Sequence, residues 1–234
     1  MNARTIQQRL EELGDTEKAA HAQRYFKTGP GQYGEGDVFL GIRVPVLRKL
    51  AKEYQALPLA ETTQLLQSSI HEERLLALLI LVLKYSKGNP STQKTIYDLY
   101  LKHTKWINNW DLVDVTTPHI VGPFLMNRSR EPLYRLAQSS SLWERRIAII
   151  TTFHFLKHGQ FDDTLAIAEI LLHDPEDLIH KAVGWMLREV GKRNLDAEEG
   201  FLQHHYRAMP RTMLRYAIEK FPEPKRQRYL KGMI

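Results

Sequence analysis

The sequence predicts an all-α fold, a stack of helix pairs joined into one continuous domain over residues 1–234, with the net positive charge near its C-terminal end. Three observations carry that reading. Helix-start and helix-stop residues recur along the whole chain. No stretch sustains the period-two alternation of a half-buried strand; the nearest, Val38-Phe39-Leu40-Gly41-Ile42, is short and interrupted by glycine. Related segments begin near Glu73-Arg74-Leu75, Trp110-Asp111-Leu112, Arg146-Ile147-Ala148, Lys181-Ala182-Val183 and Arg215-Tyr216-Ala217. Their spacing of about 35 residues is one helix–turn–helix unit, which buries its apolar face only against neighbours.

In chain order, the glycine-rich stretch Gly29-Pro30-Gly31-Gln32-Tyr33-Gly34-Glu35-Gly36 comes first. It lacks the Gly-Lys-Ser/Thr ending of a phosphate loop and joins no strand to a helix, so it reads as a flexible connection between the first helices, with a place near the ligand as the alternative. Pro45 suits an early helix position, and Val46 to Ala51 continue with helical spacing. Ser141-Leu142-Trp143-Glu144 reads as a capping box. Asp174-Pro175-Glu176-Asp177 offers a cap, a first-turn proline and acid near the positive helix end. Gly88-Asn89-Pro90, Gly159 and Pro222 are stops between helices.

Composition excludes several functions. With 43% hydrophobic residues the chain can bury a large core, and without cysteine it has no disulfide, thiol nucleophile or Cys-ligated metal. The longest apolar run, Leu75 to Leu83, is too short for a bilayer, and the N-terminus lacks a secretion signal, so a cytoplasmic protein is expected. Residues 1–180 hold 21 Lys/Arg and 21 Asp/Glu, whereas residues 181–234 hold 12 and 6. That block suggests a polyanionic partner, nucleic acid ahead of membrane, against the alternative of an ordinary solvated surface.

Three segments break the core pattern. In a helix from about Asp177 to Arg193, Leu178, Ile179, Ala182, Val183, Met186 and Val190 form an apolar arc, while Lys181, Trp185, Arg188 and Lys192 share another. Cations interleaved with an aromatic suit a nucleic-acid surface, although a tryptophan can also be clamped structurally under Arg stems. Trp106, Trp110 and Asp114 recur every four residues, which predicts one face with two aromatics and a carboxylate. An ion pair of Asp114 with Arg145 or Arg146 is the structural alternative. Arg146, at the start of an apolar helix, is placed either to meet a phosphate or to make a salt bridge. His154 and His158 have the spacing of a zinc helix without its glutamate, so no metal and no cofactor are expected.

These residues carry a resemblance. The strings Arg24-Tyr25-Phe26-Lys27, Phe39 to Pro45, Asn109 to Asp114, Trp143 to Ala148 and Lys181 to Glu189 resemble, in order, the AlkD-type DNA alkylation repair glycosylases. The resemblance implies a curved solenoid of HEAT-like repeats that cradles duplex DNA and excises purines alkylated at N3 or N7. It also implies Asp114 as the catalytic aspartate, Trp110 and Trp185 against the lesion-bearing deoxyribose, Arg146 on a phosphate and Tyr25 near the lesion. The expected partner is duplex DNA containing alkylated purines, bound by a monomer, with no membrane. Lys181, Arg188 and Lys192 are added as DNA contacts from the charge pattern alone. Two alternatives stand beside the glycosylase: a non-catalytic HEAT-like module for damaged or unusual DNA, and a protein-interaction scaffold.

Overall fold

The computed structural model describes residues 2–234. Among them the regular elements are helices, and Val38 makes only an isolated parallel bridge with Ile70. The chain folds as two compact units, Met1–Ile120 and Val121–Ile234. In order, the first holds α1 (Ala3–Glu12), α2 (Thr16–Tyr25), α3 (Val44–Glu53), α4 (Leu59–Leu66), α5 (His71–Lys87), α6 (Pro90–Lys102) and α7 (Trp110–Asp114). After α8 (Thr117–Leu125) come α9 (Glu131–Ala137), α10 (Leu142–Leu156), α11 (Asp162–Ile170), α12 (Asp177–Gly191), α13 (Leu195–His205), α14 (Arg211–Ala217) and α15 (Glu223–Leu230). No helix among the described residues is long and apolar enough to cross a membrane.

The first unit is built on α5. Its residues from Leu75 to Leu81 are all buried, as expected of a helix apolar on every side, and α3, α4 and α6 pack around it. Its first turn is buried too, although it reads His71-Glu72-Glu73-Arg74. Those polar groups persist inside because they have partners. The Glu72 carboxylate accepts the backbone N–H groups of Leu40, Gly41 and Ile42 at 2.9, 2.8 and 3.2 Å. Glu73 accepts from Gln7 Nε2 at 2.8 Å, and both acids sit at the positive helix end. Gly41 makes the turn possible: its φ is +80°, and a side chain there would strike the Asp15 backbone.

In the second unit α12 packs against α10, α13 and α14. Gly184 brings α12 against α14, because a Cβ at that position would meet the Met213 carbonyl and Tyr216. Two expected helix starts are changed in detail. Ser141 Oγ accepts the Glu144 N–H at 3.4 Å, as in a capping box, and the Glu144 carboxylate accepts from Ser139 Oγ. The second start is corrected: α12 begins at Asp177, outside the Asp174-Pro175 cap. Asp174 instead accepts from Arg145 Nε at 2.5 Å and from the Glu176 N–H at 2.9 Å.

Candidate functional site

The short helix α7 carries Trp110 and Asp114 one turn apart on one face, both half-buried. Trp106 does not share that face. It ends a separate 3₁₀ turn, Thr104–Trp106, and Asn109 breaks the register by adopting an extended backbone (φ −149°) as the N-cap of α7. The predicted face of two tryptophans and a carboxylate is thus corrected to one of each, and Trp106 instead lies 5.6 Å beneath Lys105 Nζ. Below α7, Tyr100 Oη and Thr116 Oγ1 are hydrogen-bonded at 3.0 Å. Burial, with a lesser push from the Asp114 charge, holds the Tyr100 hydroxyl well above its ordinary pKa.

Around Trp110 the N-terminal segments supply an aromatic ledge. The Phe26 ring stacks on it with centroids 5.3 Å apart, and Tyr25 meets it edge-on at 6.1 Å. Tyr25 is 59% exposed, which makes it the solvent-facing member of the group. Tyr33, from the glycine-rich stretch, fastens the ledge: its hydroxyl accepts from Trp110 Nε1 at 3.3 Å.

A buried polar network lies behind the ledge. His71 Nε2–H donates to Asp111 Oδ2 at 2.8 Å, and Nδ1–H donates to Asp37 Oδ2 at 3.3 Å. Burial alone would lower the His71 pKa, but hydrogen bonds to Asp111 and Asp37 outweigh it and raise the value to about 9. Arg74 donates to Asp37 Oδ1 at 2.6 Å. Burial would raise the Asp37 carboxyl; His71 and Arg74 outweigh it and hold the group below its usual range.

In the second unit, Trp185 lies half-buried on α12 with Phe153 at 5.8 Å. The expected cations follow it along the helix, yet each has an acid beside it. Lys181 pairs with Asp177 at 2.7 Å, Lys192 with Glu189 at 2.5 Å, and Arg188 with Glu219. Arg188 is largely buried, so Lys181 and Lys192 are the open part of this stripe. Arg146 does not leave the helix end: it is 5% exposed and donates to the Leu178 carbonyl at 2.5 Å. Among the described residues no group of three or more His, Asp or Glu side chains is placed to hold a metal ion.

Phe26, Tyr33, Asp37 and His71 join the site without having been singled out. Phe26 adjoins Tyr25 in a resembling string, but nothing in the sequence shows that residues 33, 37 and 71 meet at α7. With this geometry in view, the sequence matches the family of DNA alkylation repair enzymes over residues 6–221, and the chain belongs to that family. A solved structure described as a predicted DNA alkylation repair enzyme from Enterococcus faecalis has the same all-helical fold. It is 18% identical, with a TM-score of 0.68 over 90% of this chain and 97% of that one. Comparison with curated proteins gives no match.

Proposed function

We propose that the protein is a monofunctional DNA glycosylase that releases cationic N3- or N7-alkylated purines from duplex DNA. One observation carries the proposal beyond family membership. A carboxylate and an indole stand one turn apart on a helix whose first turn is anchored in a buried network, beside the exposed Tyr25 ring. An alkylated purine already bears positive charge and leaves without strong acid assistance. The remaining demand is an electron-poor, oxocarbenium-like sugar and a water to attack it. The Asp114 carboxylate would stabilise the first and orient the second, while the electron-rich face of Trp110 favours the same cation. One charge pair at about 4 Å in an effective dielectric near 20 contributes roughly 4 kcal/mol. Acting only in the transition state, that is about a thousandfold in rate.

The second unit is proposed to hold duplex DNA through the open cations Lys181 and Lys192 beside Trp185. Arg146 would take a phosphate only by exchanging a present partner for it, and its role in DNA binding is proposed from the resemblance alone. So is the catalytic share of Trp185, which Trp185→Ala reads directly. Chromatography of bases released from methylated duplex DNA tests the reading. Wild type should liberate 7-methylguanine or 3-methyladenine. Strong, salt-dependent duplex binding with no release would instead support a non-catalytic DNA-binding module.

A further inference from the structure

Helix α7 is five residues long, too short to hold its own geometry. Its orientation must come from its surroundings: Leu112 and Val113 are buried in the core, and polar contacts hold its first turn. Asn109, fully buried, caps it by accepting the Trp110 N–H at 2.8 Å, and its Nδ2 donates to Asp37 Oδ2 at 3.4 Å. Asp111 accepts the Leu112 N–H on Oδ1 at 2.9 Å and His71 Nε2–H on Oδ2 at 2.8 Å. The His71 ring is gripped in turn, stacked on Phe39 at 4.4 Å and 5.2 Å from Phe26, the ring that also stacks on Trp110. Contacts therefore close a loop from His71 through Asp111 and α7 to Trp110, and back through Phe26.

A neutral imidazole has one N–H, whereas this ring faces a carboxylate with each nitrogen. The protonated ring thus serves both: Nδ1–H donates to Asp37, which braces the N-cap, and Nε2–H to Asp111, which stands in the first turn. Exchange of His71 for glutamine, whose donors sit on a single nitrogen, releases one of the two carboxylates.

We infer that His71, bridging Asp37 and Asp111, is a positioning residue that sets the orientation of the Trp110–Asp114 helix for catalysis. Buried among Phe39, Asp37 and Asp111, it acts through α7. This inference rests on the proposed glycosylase reading for its kinetic consequence, but the placement of Trp110 is observable without any substrate.

The test compares wild type, His71→Gln, Asp111→Asn and the double variant. The first readout is the Trp110 indole Nε1–H resonance, assigned by its loss in Trp110→Phe. The second is single-turnover release of 7-methylguanine, with duplex affinity measured alongside. The indole resonance should shift or broaden in each single variant. The release rate should fall between about tenfold and a hundredfold while affinity changes less than about twofold, since misplacement of a reacting group acts on the chemical step. The double variant should be little worse than either single one, because both break one linkage. Asp111→Asn keeps an acceptor on α7 and guards against simple misfolding by His71→Gln. An unmoved indole resonance with unchanged release would overturn the inference, as would equal losses of rate and affinity that add in the double variant. If wild type releases no base, the glycosylase reading fails, and the indole resonance alone decides whether His71 sets α7.

Discussion

Helices α7 and α12 each present a tryptophan with charged neighbours, and they are held by opposite means. Around α7 the charges are inside: His71, Asp37 and Arg74 are 2%, 6% and 2% exposed, and they brace the helix from beneath. Along α12 the pairs Lys181–Asp177 and Lys192–Glu189 lie at the surface, with lysine side chains 41% and 42% exposed. A buried network fixes geometry and is costly to break; surface pairs hold little energy and can exchange an acid for a phosphate. On the proposed reading, the contrast suits α7 to chemistry and the lysines of α12 to holding DNA.

The largest stability effect is expected where the first region is cut. Arg74→Met removes a buried cation from Asp37 and leaves His71 as the remaining positive partner; it should cost about 3–5 kcal/mol in a denaturant titration, and a loss below about 1 kcal/mol would erase the contrast. The pH dependence of wild type comes next. The His71 pKa is raised from 6.5 to about 9, so its contribution is fully present below about 6.5 and is lost as pH rises through 9. Melting curves from pH 6 to 10 should follow that loss, and His71→Gln should flatten it.

Glu198, in the second unit, shows the cost of a buried acid without such partners. Burial, reinforced by Glu199, raises its pKa from 4.5 to about 8, and its Oε1 has no hydrogen-bond partner. Because the folded pKa is the higher one, its stability is fully present below about 4.5 and falls as pH rises through 8. Glu198→Gln should therefore gain on wild type most at pH 8 and above, in the same melts. The smallest effect belongs to the surface. Lys181→Ala or Lys192→Ala should change stability by less than about 0.5 kcal/mol, yet lower the salt slope of duplex binding by roughly one. An unchanged slope would remove α12 from the interface.

The helices were legible because their signals are local. Pro45 stands in an early helix position, Gly88-Asn89-Pro90 separates α5 from α6, and the apolar arc of α12 faces its core, with Leu178 only half-buried. The face through Trp106 failed because Asn109 reads equally well as a helix residue and as an N-cap, and spacing alone does not choose between them. The cation stripe was found, but its neutralisation was not. Glu189 lies near in sequence, whereas Glu219 comes from a later turn and meets Arg188 only through folding. The buried network was invisible for the same reason, since Asp37, His71 and Asp111 are joined by tertiary contacts and not by any periodic pattern.

Asp114 carries the proposed chemistry. The most direct measurement is single-turnover release of 7-methylguanine from methylated duplex DNA by wild type and by Asp114→Asn, with affinity for the same duplex measured in parallel. The prediction is a rate about a thousandfold lower in the variant, with affinity nearly unchanged. Release by Asp114→Asn at the wild-type rate would contradict it.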